Sequence, residues 1–275
     1  MILRTASDAL ISVLLAPVCA SCDEPLDSPT RGPVCQRCWD SIVPITPPVC
    51  ESCGDPLASW RIISIEHGRC ARCRRTPSLI TRGRAIGEYA GSLREIVHAL
   101  KYDGRRSVAR PLARRLAIAG FDVLGGADCA VPVPLHRSRK RSRGFNQAAE
   151  IARQLPIPLN HALKRVRATA SQTELPAGRR HANVRKAFKL RRRAEVKGLV
   201  VVLVDDVSTT GATLNECARV LLDAGAREVR ALTAARVSSR YQHTPRRSGQ
   251  LFSQQISLQD QFRPSSPQPT QITVG

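Results

Sequence analysis

"VVLVDDVSTTGAT", Val201 to Thr213, joins four apolar residues to two adjacent carboxylates and then to hydroxyls and a glycine. The run into the acids, "KGLVVVLVDD" (197–206), is continuously apolar, as in a strand buried inside a parallel sheet. The segment after it, "ATLNECARVLLDAG", predicts a helix with Leu214, Cys217, Ala218 and Leu221 on one face and Gly225 as its stop. Strand, loop and helix in that order frame a phosphate site. The helix N-terminus offers unpaired N–H groups and the positive end of the helix dipole. The loop adds hydroxyls from Ser208, Thr209, Thr210 and Thr213, and Gly211 allows close backbone approach. There is no GK[ST], no loop lysine and no GxGxxG, so this is neither a P-loop nor a dinucleotide fingerprint. Asp205 and Asp206 suit vicinal hydroxyls or a hydrated Mg2+, and a sugar phosphate combines both features. The alternative is a strand end with two solvated acids.

Working outward, "RAIGEYAG" predicts a strand, and "SLREIVHALKYDG" and "SVARPLARRLAIAG" predict helices that each stop at a glycine. "DCAVPVP" (128–134) reads as a buried strand. "GFNQAAEIARQL" reads as a helix with Phe145, Ala148, Ala152 and Leu155 inward, and "VRALTAARV" as a further strand. Alternating strands and helices define an α/β class with a doubly wound, mainly parallel sheet over residues 81–237. The tail, 238–275, is rich in Gln, Ser and Pro and is expected to be disordered.

Residues 1–80 hold eight of the ten cysteines, as four CxxC pairs. Cys19/Cys22 and Cys35/Cys38 enclose 12 residues, and Cys50/Cys53 and Cys70/Cys73 enclose 16. Two such knuckles complete one tetrahedron, so two structural zinc ions are expected. Sequential pairing is the simplest, with interleaved pairing open. The competing reading, a redox CxxC, needs one motif at a helix start after a strand. His67 reads as a surface residue, and Cys129 and Cys217 as core. Ahead of the cysteines, Ile2, Leu3, Ala6, Leu10, Val13 and Leu14 recur at helical spacing, which predicts a short amphipathic helix rather than a signal peptide. No apolar run is long enough for a membrane span, and reduced metal-binding thiols point to the cytoplasm.

The formal net charge is +21, unevenly spread. Residues 1–80 carry eight Arg against eight Asp/Glu, whereas 136–193 carry 17 Lys/Arg against two Glu. That segment suits a local polyanion site, the alternative being a solvated charged surface. Phe145 and Phe188 are the few aromatics there for stacking, which favours backbone contacts over base reading.

The stretch 201–213 resembles the 5-phosphoribosyl-1-pyrophosphate (PRPP) binding motif of type I phosphoribosyltransferases. "LKYDG" (100–104), "VPVPLHRSRKRSRGFNQA" (131–148), "SQTELPAGRRHANVRKAF" (171–188) and the four CxxC pairs extend the resemblance to the ComF family. That family joins an N-terminal zinc ribbon to a phosphoribosyltransferase-like domain. The resemblance implies that Ser208, Thr209, Thr210, Gly211, Ala212 and Thr213 cradle a 5-phosphate. It implies that Asp205 and Asp206 hold the ribose as the catalytic pair, with Val204 adjoining them in the binding stretch. Arg137, Lys140 and Arg143, with Arg139 and Arg141, would take the pyrophosphate, and Mg2+ would accompany PRPP. The acceptor is not implied. In some members the family serves DNA uptake and natural transformation. The second expectation is therefore a non-catalytic factor that binds single-stranded DNA through 136–193. A competence-machinery protein or a second copy of the chain are the protein partners so implied.

Overall fold

The computed structural model describes residues 2–57, 68–168 and 184–238, with side chains from Ser7 onward. The expected disorder of the tail, the placement of His67 and most of "SQTELPAGRRHANVRKAF" lie outside these residues. A leading helix α1 (Ile2–Leu15) precedes two cysteine modules, in which α2 (Gln36–Asp40) and α3 (Ala71–Arg75) are single short turns. There follow β1 (Gly83–Glu88), α4 (Gly91–Tyr102), α5 (Ala109–Ala119), α6 (Phe121–Leu124), β2 (Cys129–Pro132), α7 (Arg137–Arg143) and α8 (Gln147–Ala152). A short antiparallel pair, β3 (Leu163–Arg165) and β4 (Phe188–Leu190), precedes β5 (Val200–Ser208), α9 (Ala212–Asp223) and β6 (Glu228–Arg236).

The main sheet has the order β1-β6-β5-β2, with all three pairings parallel. β5 is central because it is apolar on both faces. Val202 and Val204 join a core with α4, α5 and α8, while Val201 and Leu203 join a second core with α9. Helices on both faces make the sheet doubly wound, and ligands of such sheets bind outside the carboxyl ends of the strands. The expected inward faces are all buried: Phe145, Ala148, Ala152 and Leu155 around α8, and Leu214, Cys217, Ala218 and Leu221 on α9. Cys129 and Cys217 are core residues.

Two features of the N-terminal region differ from expectation. The described part of the apolar stripe of α1 does not pack: Leu10 is 61%, Val13 83% and Leu14 70% exposed. The helix is tied down through Asp8, which accepts from the Thr30 backbone N–H at 2.8 Å. The first cysteine module, in contrast, is part of the main core. Cys19, Ala20, Leu26, Val34 and Cys38 belong to the same buried cluster as α4 and α5, and Trp39 and Ile42 pack against it. A stretch with few apolar residues of its own gains them from α4, as a small module must.

The second module meets the edge strand β1. A Cβ on Gly54 would stand 2.7 Å from the Gly83 carbonyl oxygen, and one on Gly83 would stand 2.9 Å from that of Ser52. Only glycine allows this backbone approach.

Candidate functional site

The two modules are built alike. In each, the first CxxC closes a tight turn flanked by one isolated bridge, Val18 with Pro25 and Val49 with Pro56. The second CxxC opens a helix, with Cys35 capping α2 and Cys70 capping α3. Cys19, Cys22, Cys35 and Cys38 form one group and Cys50, Cys53, Cys70 and Cys73 the other, with all sulfurs of a group within 4.8 Å of one another. The pairing is therefore sequential. Four sulfurs each about 2.3 Å from a tetrahedral zinc stand about 3.8 Å apart. The Cys22–Cys35 and Cys53–Cys70 sulfurs are 3.9 and 3.7 Å apart, so both sets fit the ion. Hydrogen bonds from Cys50 and Cys70 hold the Cys53 thiol far below the usual range, while the same contacts push Cys73 far above it. Four crowded thiols cannot all ionise without a dication, and a dication is what they fit.

Strand β5 runs on through the acid pair, so Asp205 and Asp206 lie within the strand and Ser208 ends it. Lys101, at the last turn of α4, places its ammonium 2.9 Å from Asp206 Oδ1, and both side chains are 13% exposed. Burial alone would lower the Lys101 pKa, but Asp206 outweighs it and the pKa is raised. Asp205 is pushed up to about 7 by burial first and by the neighbouring Asp206 second, against the pull of the Asp206 N–H, Lys101 and Arg165. Asp205 stays raised despite these two cations, and a carboxylate so shifted by burial at a strand end marks a candidate ligand site.

A cavity of about 120 Å³ opens over the pair, lined by Lys101, Tyr102, Arg139, Arg143, Arg165, Asp205, Asp206, Thr209 and Thr213 among others. Arg143 donates to Tyr102 Oη at 3.4 Å and to Gln147 Oε1 at 3.3 Å, which fixes its guanidinium at the rim. Helix α9 begins beside the cavity. Gly211 is its N-cap at φ +79°, a left-handed conformation that glycine adopts without strain. Thr210 Oγ1 accepts from the Ala212 N–H at 3.4 Å.

The expected site residues do not all meet. Asp205, Asp206, Thr209, Thr213, Arg139 and Arg143 share the cavity. Ser208, Thr210 and Gly211 border a second, smaller cavity of about 60 Å³ behind the loop, facing the second cysteine module. Ser208 is buried there and its Oγ accepts from Arg236 at 3.3 Å. Lys140 lines a third cavity of about 310 Å³ with Arg106, Arg153, His161 and Arg191. Arg137 and Arg141 are exposed, Ala212 is buried, and the Val204 side chain lies in the core. Helix α7 thus divides its cations between two cavities: Arg139 and Arg143, four residues apart, share one face, and Lys140 points to another. Lys101, Tyr102 and Arg165 were not singled out from the sequence. One lysine at the polar end of an amphipathic helix carries no local signal, although it lies in the quoted "LKYDG".

The class that fold and site define is a phosphoribosyltransferase-like parallel sheet preceded by two four-cysteine modules. Residues 141–261 match the phosphoribosyl transferase domain, and residues 10–74 match the double zinc ribbon domain. "DNA utilization protein YhgH" of Escherichia coli (strain K12) is 36% identical over 173 residues, covering 59% of this chain and 75% of the relative. "Competence protein F" of Haemophilus influenzae is 35% identical over 178 residues, covering 61% and 78%. "Competence protein ComFC" of Bacillus subtilis is 26% identical over 166 residues, covering 58% and 68%. The chain belongs to the ComF family. No helix among the described residues is long and apolar enough to cross a membrane.

Proposed function

We propose that this protein binds PRPP or a related ribose phosphate at the end of β5 and transfers its phosphoribosyl group. The observation that carries the reading is the buried acid pair beside a helix N-terminus, in a cavity with four cations. Asp205 and Asp206 accept the ribose hydroxyls, and the N–H groups at the start of α9 take the 5-phosphate. Arg139, Arg143, Arg165 and Lys101 stand where a leaving pyrophosphate, bridged by Mg2+, would be neutralised. Of the cations first assigned to this task, Arg137 and Lys140 line other surroundings, and Arg143 keeps it. In this reading residues 1–80 form the double zinc-ribbon module and 81–237 the transferase-like domain, in the cytoplasm. Calorimetry with PRPP and Mg2+, followed by a screen of acceptors for pyrophosphate release, tests it. Failure of PRPP to bind the metal-replete protein overturns it.

The basic surface favours a second reading, in which the chain handles single-stranded DNA. Helix α7, "RSRKRSR", has no buried residue. Its neighbouring cavity is lined by Arg106, Lys140, Arg153 and Arg191. Relatives are named for DNA utilization and competence. Binding of this kind weakens linearly in log salt, by about 0.7 per contacted phosphate on a single strand. Changing Arg137, Arg139, Lys140, Arg141 and Arg143 to Ser should flatten that slope in an anisotropy titration. A slope equal to wild type discards the DNA reading.

A further inference from the structure

Arg72 stands in the second cysteine module, one position before Cys73. Its Nη1 donates to the Thr209 carbonyl at 3.2 Å, and its Nη2 reaches Cys53 Sγ at 3.7 Å. One planar fork therefore spans a metal-ligand thiolate and the backbone of the phosphate loop, 137 positions apart in sequence. A guanidinium holds its donors in fixed relation, so the sulfur and the carbonyl are positioned together. The Thr209–Thr210 peptide is trans. In a trans peptide the C=O and N–H point in opposite directions. A carbonyl held toward the module leaves the Thr210 N–H aimed away from it, as an anion-binding loop requires.

Other contacts hold the frame around this link. Asn215 Oδ1 on α9 accepts from Ser78 Oγ at 3.1 Å and from the Leu79 N–H at 2.9 Å. Arg236 joins Ser208 to Asp55. Arg72 is the contact that reaches the loop backbone itself. The first module carries an arginine at the same place, Arg37 before Cys38. Arg37 is exposed, and the charges that act on it are those of Cys22, Cys35 and Glu24, far from the loop in the chain.

We propose that Arg72 is a positioning residue, which transmits the geometry of the second four-cysteine site to the 209–210 peptide and so sets ribose-phosphate affinity, whereas Arg37 does not. The affinity half rests on the ribose-phosphate reading above. The test uses the full chain, metal-replete, as wild type, Arg72→Gln, Arg72→Lys and Arg37→Gln. Amide hydrogen exchange of residues 208–213 is measured without ligand, PRPP affinity by calorimetry with Mg2+, and zinc by elemental analysis. Arg72→Gln should exchange about tenfold faster at Ala212, whose N–H is held by Thr210 Oγ1, and bind PRPP about tenfold more weakly, with two zinc ions kept. Arg37→Gln should change neither. If Arg72→Gln loses metal, Arg72→Lys keeps a cation beside Cys53 without the fork and should show the same two losses. Unchanged exchange in both Arg72 variants, or equal effects from Arg37→Gln, overturns the proposal. Wild-type protein that binds no PRPP overturns the ribose-phosphate reading and the affinity half with it. The exchange result then decides alone whether Arg72 holds the loop.

Discussion

The neighbouring strands β5 and β6 both end in buried charge, and the two ends differ in how that charge is met. At the end of β6, Arg236 and Asp55 are each 2% exposed and pair at 3.1 Å. At the end of β5, Lys101 pairs with Asp206 and the charges of Lys101 and Arg165 act on Asp205, yet Asp205 is still driven up to about 7. The first arrangement is electrically closed and serves to attach the second cysteine module to the sheet. The second is open and asks for a cation or for hydrogen-bond donors from outside. Buried charge alone therefore marks no site; the informative quantity is how far the charge is compensated.

The largest effect that separates the two ends should come from metal removal. Asp55 lies between Cys53 and Cys70, so a chelator that empties both cysteine sites should unfold the modules and strip Arg236 of its partner. Elemental analysis should first find two zinc ions per chain, and circular dichroism should then report loss of structure beyond the modules. Retention of a full native melt in the stripped protein would break the link drawn here between module and sheet.

Asp55→Ala isolates the closed end. It leaves a buried guanidinium unpaired and should cost about 3–5 kcal/mol in urea unfolding. Adding Arg236→Met should restore most of that loss, because an apolar pair of similar volume avoids the desolvation of both ions. Lys101→Met acts at the open end, where it removes the close ion-pair partner of Asp206. It should cost about 2 kcal/mol and raise the Asp205 titration further, read by carboxyl NMR.

Asp205→Asn should do the reverse. The native pKa of about 7 lies above the ordinary Asp value of 3.8. The folded protein therefore keeps a proton that the unfolded chain has already lost. That contribution is fully present below about pH 4, declines as pH rises toward 7, and is gone above. Removing the acid should leave stability at pH 4 nearly unchanged and raise it at pH 8 by roughly 3–4 kcal/mol, as a shift from 3.8 to about 7 implies. A flat difference between the two pH values would show that Asp205 titrates normally. The smallest effect is expected from Asp223→Ala. Arg219 meets Asp223 at 2.6 Å, closer than Arg236 meets Asp55, yet the Asp223 side chain is 62% exposed, and Arg219 keeps Glu216 when Asp223 is removed. Losing that carboxylate should cost about 0.5 kcal/mol or less. A larger loss would mean that distance rather than burial ranks these pairs.

Much of this molecule was legible locally. The apolar run into Asp205 can only be a strand covered on both faces, and it is. The helical period after Gly211 fixes which side of α9 is buried. Four CxxC pairs at short spacing announce two four-cysteine sites, with sequential grouping the simplest because it closes the shortest loops; the placed sulfurs decide it over interleaving. The same local logic does not separate neighbours within the loop. Ser208 was grouped with the other hydroxyls, but strand β5 continues to it and turns its Oγ to Arg236. Nor could the seven residues of α7 show which cations face which cavity.

What the sequence alone determined, then, is the main strands and helices, the four-cysteine pattern and the acid–hydroxyl loop, because each depends on residues within one strand, turn or helix. Only the tertiary structure decided how they are charged and held. Lys101 reaches Asp206 across 105 positions, Arg72 reaches Thr209 across 137, and Asp55 reaches Arg236 across 181. Periodicity is blind to such contacts, since it reports a face but not its partner. They form because a module with little core of its own packs on β1 and α4, and that packing carries its charged side chains to the strand ends.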